Sequence, residues 1–252
     1  MPYHFPKSRN LFSILTVFCI LMLQGCVVPE RPRTHVSLDQ GAGWRYAGSR
    51  FVIAPVEAKM FEITVSGALE ERPDWSEQSK IMIRRAARDQ LRKLFRMNTA
   101  LWPTLSESEQ EVLDEHIALY RLLSQSRNIS ISLSPDWNQR FYEQDMCLGT
   151  GLSFLSHKSG ADIMIFLTGE QARSTSGRVA MMIFAAAMGV TMPTGQSYLG
   201  MAAIDLRTGN VLWHNGAIHP TFNLNKLSGA DSMMELVLGK FSELADKIQV
   251  PD

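Results

Sequence analysis

The chain lacks most of what announces an enzyme. It has no H-E-x-x-H, G-x-S-x-G, Walker A or C-x-x-C segment, and no S-x-x-K with its usual partners. Zinc-protease, nucleophile-elbow, nucleotide-hydrolase and dithiol-redox chemistry therefore have no local signature, and no cofactor motif stands in their place. Net charge is missing too. The 25 basic residues balance 25 acidic ones, which points away from polyanion partners, nucleic acid among them. Cysteine is scarce, at three in 252 residues. Two apolar runs stand out, Leu11–Leu23 and Val179–Met192. Both fall short of the ~20 residues that a membrane-crossing helix needs.

The first run follows Lys7 and Arg9, with no acidic residue before it, and ends in Leu23-Gln24-Gly25-Cys26. Basic start, short apolar core and small terminal residues have the order of a signal peptide. The ending resembles the bacterial lipobox, Leu-x-Gly/Ala-Cys, with Leu23, Gly25 and Cys26 in its three informative positions. That resemblance implies diacylglycerol on the Cys26 sulfur, cleavage after Gly25 and acylation of the new amino group. Several acyl chains, at ~0.8 kcal/mol per buried methylene, anchor durably where one chain is marginal. Val27, rather than aspartate, follows the cysteine. By the resemblance this implies the periplasmic face of the outer membrane over the inner membrane. The alternative is an ordinary signal peptide, or an uncleaved anchor, with a chance cysteine.

Removing the first 25 of 252 residues leaves 227, with 23 basic side chains against 25 acidic. That length suits one domain with a full core. Cys19 departs with the signal and Cys26 is acylated, so Cys147 has no intramolecular partner, and a lone thiol of this kind is expected to be buried. Residues 26–48 read as a lipidated tether. Pro29 and Pro32 favour extension, Gly41 and Gly43 loosen it, and no apolar period is present. Val27–Trp44 reaches about 60 Å at most. Residues 49–252 read as a single periplasmic domain.

Within that domain Arg50–Val56 reads as a buried strand bent at Pro55, and Lys59–Ser66 as a weaker strand or a loop. Asp74 with Glu77 matches a capping box, predicting a helix near Trp75 with Ile83, Ala87, Leu91, Leu94 and Phe95 on one side. Arg84, Arg85, Arg88, Arg92, Lys93 and Arg96 make its other side a solvated face, or else a basic strip for acidic partners. Ser106 with Glu109 caps a second helix whose opening turns are acidic. The two helices suggest an antiparallel pair with facing charges. His116 beside Asp114 and Glu115 has no second histidine at helical spacing, which argues against a metal. Ile129–Leu133 alternates as a strand does. Phe141–His157 reads as a helix burying Leu148, Leu152 and Leu155. Gly149 and Gly151 fail the dinucleotide-loop pattern because Phe154 replaces its third glycine. Ile163–Leu167 is the best buried strand. Tyr198–Leu206 and Asn210–Ile218, joined through Thr208-Gly209-Asn210, form an antiparallel hairpin. A helix over Asp231–Ile248, with Leu236, Phe241, Leu244, Ala245 and Ile248 on its buried side, closes the chain before Val250-Pro251.

Val52-Ile53-Ala54-Pro55-Val56, then Gly160-Ala161-Asp162 entering a strand, then Ala203–Trp213 with its Asp-x-x-Thr-Gly-x-x-x-Trp hairpin, resemble a group of periplasmic modules. These are the curli secretion channel subunit, the N-terminal domain of the Tol-system propeller protein and the lipoprotein activators of penicillin-binding proteins. Together the patterns predict an α+β fold: a mixed sheet of about four to five strands with a C-terminal antiparallel hairpin, packed by about three to four helices. The resemblance implies envelope assembly, secretion or partner activation without shared catalytic residues.

Val179–Met192 carries no charge. Its first reading is a helix buried against the sheet. Partner binding or self-association, and membrane insertion, are the other two. The functional expectation is an outer-membrane-anchored periplasmic lipoprotein acting as a non-enzymatic assembly, scaffold or partner-activating factor. Its partners would be the membrane, through Cys26, and an envelope protein or a second copy. The alternative is a periplasmic hydrolase or ligand-binding lipoprotein with His214 or His219 beside a carboxylate and a serine in a pocket.

Overall fold

A computed structural model describes residues 28–29, 33–34, 49–95, 99–133, 146–192 and 194–239. In chain order these form β1 (Val28–Pro29), β2 (Arg33–Thr34), β3 (Phe51–Ile53), β4 (Glu57–Ile63), β5 (Leu69–Glu71), α1 (Pro73–Phe95), β6 (Thr99–Ala100) and α2 (Glu107–Leu133). A 3-10 turn (Thr150–Leu152), α3 (Ser153–Ser159), β7 (Ile163–Ser174), α4 (Ser176–Ala187), β8 (Gly195–Asp205), β9 (Val211–His219) and α5 (Leu227–Leu238) follow. Cys26, residues 141–145 and the end of the last predicted helix beyond Gly239 lie outside the described residues.

The five consecutive apolar residues at the start of β7 are those of a strand covered on both faces. β3 pairs parallel with Ile163–Ile165 and β4 pairs parallel with Thr168–Ser174. These two short strands thus follow one long one, and the break between them is Ala54-Pro55-Val56, where proline removes a ladder donor. β8 and β9 continue the sheet antiparallel on the other side of β7. Counting its two- and three-residue pieces, the mixed sheet has nine strands. The fold is α+β, as predicted.

Alternation along β7 assigns the layers. Ile163, Ile165 and Leu167 pack with Ile83, Ala86, Ala87 and Leu91 of α1 and with Met233, Met234 and Val237 of α5. Met164 and Phe166 face Leu113, Ile117 and Tyr120 of α2, with Leu148, Leu152 and Leu155. The two charged helices therefore lie on opposite faces of the sheet and do not form the expected antiparallel pair. Ile83, Ala86, Ala87 and Leu91 of the first helix and Leu113, Ile117 and Tyr120 of the second bury against the sheet instead of against each other. Arg84, Arg85, Arg88, Arg92 and Lys93 are exposed, which favours the solvated-face reading for them.

The second helix starts on the predicted capping box. Glu109 N–H donates to Ser106 Oγ at 3.3 Å, and Ser106 N–H donates to the Glu109 carboxylate at 2.7 Å. The first helix starts differently. Pro73 takes its opening position, where no amide donor is needed. Asp74 accepts from Arg72, and Glu77 pairs with Lys80, so no Asp74–Glu77 box forms. Ile129–Leu133 belongs to α2 and not to a strand. Five alternating residues cannot outweigh a helix already nucleated, where each added residue gains one bond. The predicted helix over Phe141–His157 is described only as α3 and its 3-10 turn, because Cys147–Gly149 runs against the hairpin turn instead: Leu148 N–H donates to Gly209 O at 2.8 Å. In that turn Asp205 Oδ1 accepts from the amides of Arg207 and Thr208, and Gly209 has φ 76°.

The expected tether is also tied down in part. Val28 and Pro29 pair with Ile218 and Ala217, and Arg33 and Thr34 pair with His214 and Trp213. Backbone pairing along the edge of β9 needs no apolar side-chain pattern, which is why the sequence does not announce it.

Candidate functional site

β7 outlasts the helices that cover it. Beyond Leu167 it runs on to Ser174, paired with β8 as far as Gly195, and the excursion between these strands is α4. Thr175 begins the helix, its Oγ1 accepting from Arg178 N–H at 3.1 Å. Thr175 N–H itself donates to Ile63 O at 3.0 Å, so the helix starts on the end of β4. Gly189, with φ 80°, ends it, and its N–H donates to Ala186 O.

One narrow stripe holds α4 to the body. Arg178 is buried, with Nη1 donating to Thr64 O at 3.5 Å, and Met182 is half-buried, its sulfur accepting from Ser174 Oγ at 3.8 Å. Everything else points outward. Ile183 is 68% exposed, Phe184 70% and Met188 69%, with Val179, Met181 and Val190 also exposed. The expected buried helix is therefore overturned: the helix exists, but the sheet beneath it has ended, leaving no surface to cover it. Twelve residues make ~18 Å of helix, well below the ~30 Å of a bilayer core. No described helix is long and apolar enough to cross a membrane.

The same end of the sheet receives the N-terminal chain. Val28 pairs with Ile218, Ile218 with Tyr198, and Tyr198 with Glu170. β1 runs antiparallel to β9, with its first residue, Val28, on the side nearer the end that carries α4.

Beside these rows is an open cleft of about 620 Å³. Glu57, Lys59, Lys80, Arg121, Glu170 and Tyr198 line it, and Glu57 pairs with Arg121 across it. Its charges are of both signs.

The described histidines each have a partner within the body. His214 is buried, its Nδ1 2.6 Å from the Tyr120 hydroxyl, while Tyr120 meets Phe166 edge to face. His219 stacks on Phe222 with ring centroids 3.7 Å apart. His116 and His157 each place Nδ1 on the carbonyl four residues back, Val112 O and Ser153 O. Neither His214 nor His219 meets a carboxylate and a serine in these contacts, and neither lines the cleft. No group of three or more His, Cys, Asp or Glu among the described residues is placed to hold a metal. Two glycines have packing roles: a Cβ on Gly151 would overlap the His116 ring, and one on Gly209 would overlap Gly149. Cys147, expected buried, is exposed. The backbone pairing of its segment with Asn210 holds the thiol at the rim of the body.

One carboxyl is strongly perturbed at the start of α2. The Lys158 ammonium, 2.6 Å away, together with the Ser106 amide, pulls the Glu109 carboxyl down to about 2. Capping and a cation explain it fully.

The sequence marks Val179–Met192 as unusual but not as exposed. The usable signal is the absence of any charge over the 14 residues Val179–Met192 between two strands. Tyr120–His214 has no such signal, since nothing local joins residues 94 positions apart.

No family model matches the chain, and no curated protein matches it. Among solved structures it is similar to a variant of the PelC dodecamer from Paraburkholderia phytofirmans, at 12% identity and TM-score 0.37, over 88% of this chain and 99% of that one. It is also similar to a second form of the PelC dodecamer from the same organism, at 10% identity and TM-score 0.34, over 82% of this chain and 90% of that one.

Proposed function

We propose that this protein is a periplasmic lipoprotein of the outer membrane that acts by contact, as an assembly, scaffold or partner-activating factor, and not by catalysis. The observation that carries the reading is α4. A body that spends its described histidines on internal bonds keeps outside itself a helix whose one charge, Arg178, is turned inward, with Phe184 70% exposed. Large exposed apolar patches on soluble bodies mark interaction surfaces. Acylation of Cys26 supplies the anchor, as the Leu23–Cys26 pattern implies. The likeness of the Ala203–Trp213 hairpin to secretion and synthase-activator modules supports an envelope role. The mixed-charge cleft is the second surface for an envelope partner.

Three measurements test this. Mass analysis of the native protein should find Cys26 as an acylated N-terminus, and Cys26→Ser should move the chain out of the outer-membrane fraction. A photo-crosslinker at Glu170 in intact cells should capture an envelope protein. An unmodified Cys26 with the chain in the soluble fraction removes the anchor. Failure to capture a protein from the cleft removes the scaffold role.

A further inference from the structure

Two features at one end of the sheet belong together. Val28, the first residue of β1, lies on the side nearer that end, and Cys26 precedes it by only two residues. Two residues span at most ~7 Å. Val28 itself is level with Tyr198 and Glu170, three rows short of Gly195 and Arg173, where α4 leaves and rejoins the sheet. Three strand spacings, ~14 Å, separate the line of β1 from β7. An acyl anchor on Cys26 is therefore tied by two residues to the end of the sheet that roots α4, too short a leash to carry the body far from the bilayer.

The helix itself is built for such a neighbour. A segment that docks into a protein groove shows one apolar face and keeps a polar one for water. From Val179 to Met192 no charged residue occurs, and apolar side chains leave α4 in every direction except the Arg178–Met182 stripe. A helix apolar all round belongs in an apolar medium. This one is too short to cross that medium but long enough to lie within one leaflet.

We propose that α4 is a second, non-covalent membrane contact: it lies in the leaflet that holds the Cys26 acyl chains, and the two together fix the orientation of the body on the membrane. The inference rests on the anchored reading for its geometry, whereas its test does not require acylation. The chain from residue 26 onward, carrying Cys26→Ser and so without lipid, is mixed with vesicles of phosphatidylethanolamine and phosphatidylglycerol and floated through a density gradient. Flotation is expected. The double change Ile183→Asp/Phe184→Asp should reduce the vesicle-bound fraction by at least about tenfold while thermal unfolding stays unchanged. As a second measure, an environment-sensitive fluorophore on Met188→Cys in a Cys147→Ser background should shift to the blue on vesicle addition and be quenched by brominated acyl chains.

A chain that does not float, or floats equally well with both aspartates, overturns the proposal. So does a fluorophore that vesicles leave unchanged. Self-association abolished by the two aspartates, without vesicle binding, also overturns it and assigns α4 to a second copy. Mass analysis of Cys26 stands apart. An unmodified sulfur with vesicle binding intact removes the anchor and leaves the helix contact standing. An acylated sulfur with no vesicle binding does the reverse.

Discussion

α4 and α5 are alike as sequences and opposite as structures. Each has 12 residues, each is mainly apolar, and each contains a Met-Met pair. α5 buries Gly229, Ala230, Met233, Met234, Val237 and Leu238, whereas α4 buries only Arg178. Apolar content does not decide burial here; position in the sheet does. α5 returns across β9 onto the inner half of the sheet, where α1 already forms a layer. α4 leaves β7 after both layers have ended. One mark in the sequence separates them: α5 carries Asp231 and Glu235 on its outer side, which records where water is. Nothing on α4 beyond Arg178 makes such a record.

The largest predicted effect tests this difference directly. Met233→Ala should cost ~2–5 kcal/mol, the range for emptying a filled core site, read as a fall in the denaturant midpoint. A loss as small as that of an exposed site would break the comparison. Next comes Asn215→Leu. Asn215 Nδ2 donates to Val237 O at 2.6 Å and so fastens β9 to α5. Losing that bond should cost ~1–3 kcal/mol in thermal unfolding; the matching tie on α4 is the longer one from Arg178 Nη1 to Thr64 O at 3.5 Å.

Charge provides a third comparison, between helix starts. Glu109 is held down to about 2 in the folded chain by Lys158 and the Ser106 amide. A carboxylate depressed on folding adds stability above its unfolded value near 4.5, and that stability is lost as pH falls toward 2. Glu109→Gln should therefore lower the melting temperature at neutral pH. Its gap from the parent should be constant above about pH 5, narrow from there down toward pH 2, and close below it. α4 starts on the neutral Thr175 hydroxyl, so Thr175→Ala should cost the same at every pH in that range. The smallest effect is expected at Phe184. Phe184→Asp should leave the melting temperature within the scatter of exposed sites, ~0.5 kcal/mol. A clear loss of stability would mean that the helix is covered by its own body.

Local chemistry is the legible part. Ser106–Glu109, the Thr208-Gly209-Asn210 turn and the Ile163–Leu167 core strand are each specified within a few residues, and each forms. What cannot be read depends on distant partners. The sequence does not say which face of the sheet α1 and α2 take, or that Val28–Thr34 adds to β9, because backbone pairing and layer choice leave no periodicity. Ile129–Leu133 misleads because a five-residue alternation is a weak prior against a helix arriving from Glu107. α4 is legible as a helix but not in its placement, since burial is a property of what lies opposite it. Tyr120 and His214 meet for the same long-range reason.

The strand that carries α4 has a mechanical meaning. Eleven residue pairs join β7 to β8, and their hydrogen bonds run across the strands. A pull on α4 enters β7 at Ser174 and β8 at Gly195, so both strands are drawn the same way and the load passes outward in shear to β4 on one side and β9 on the other.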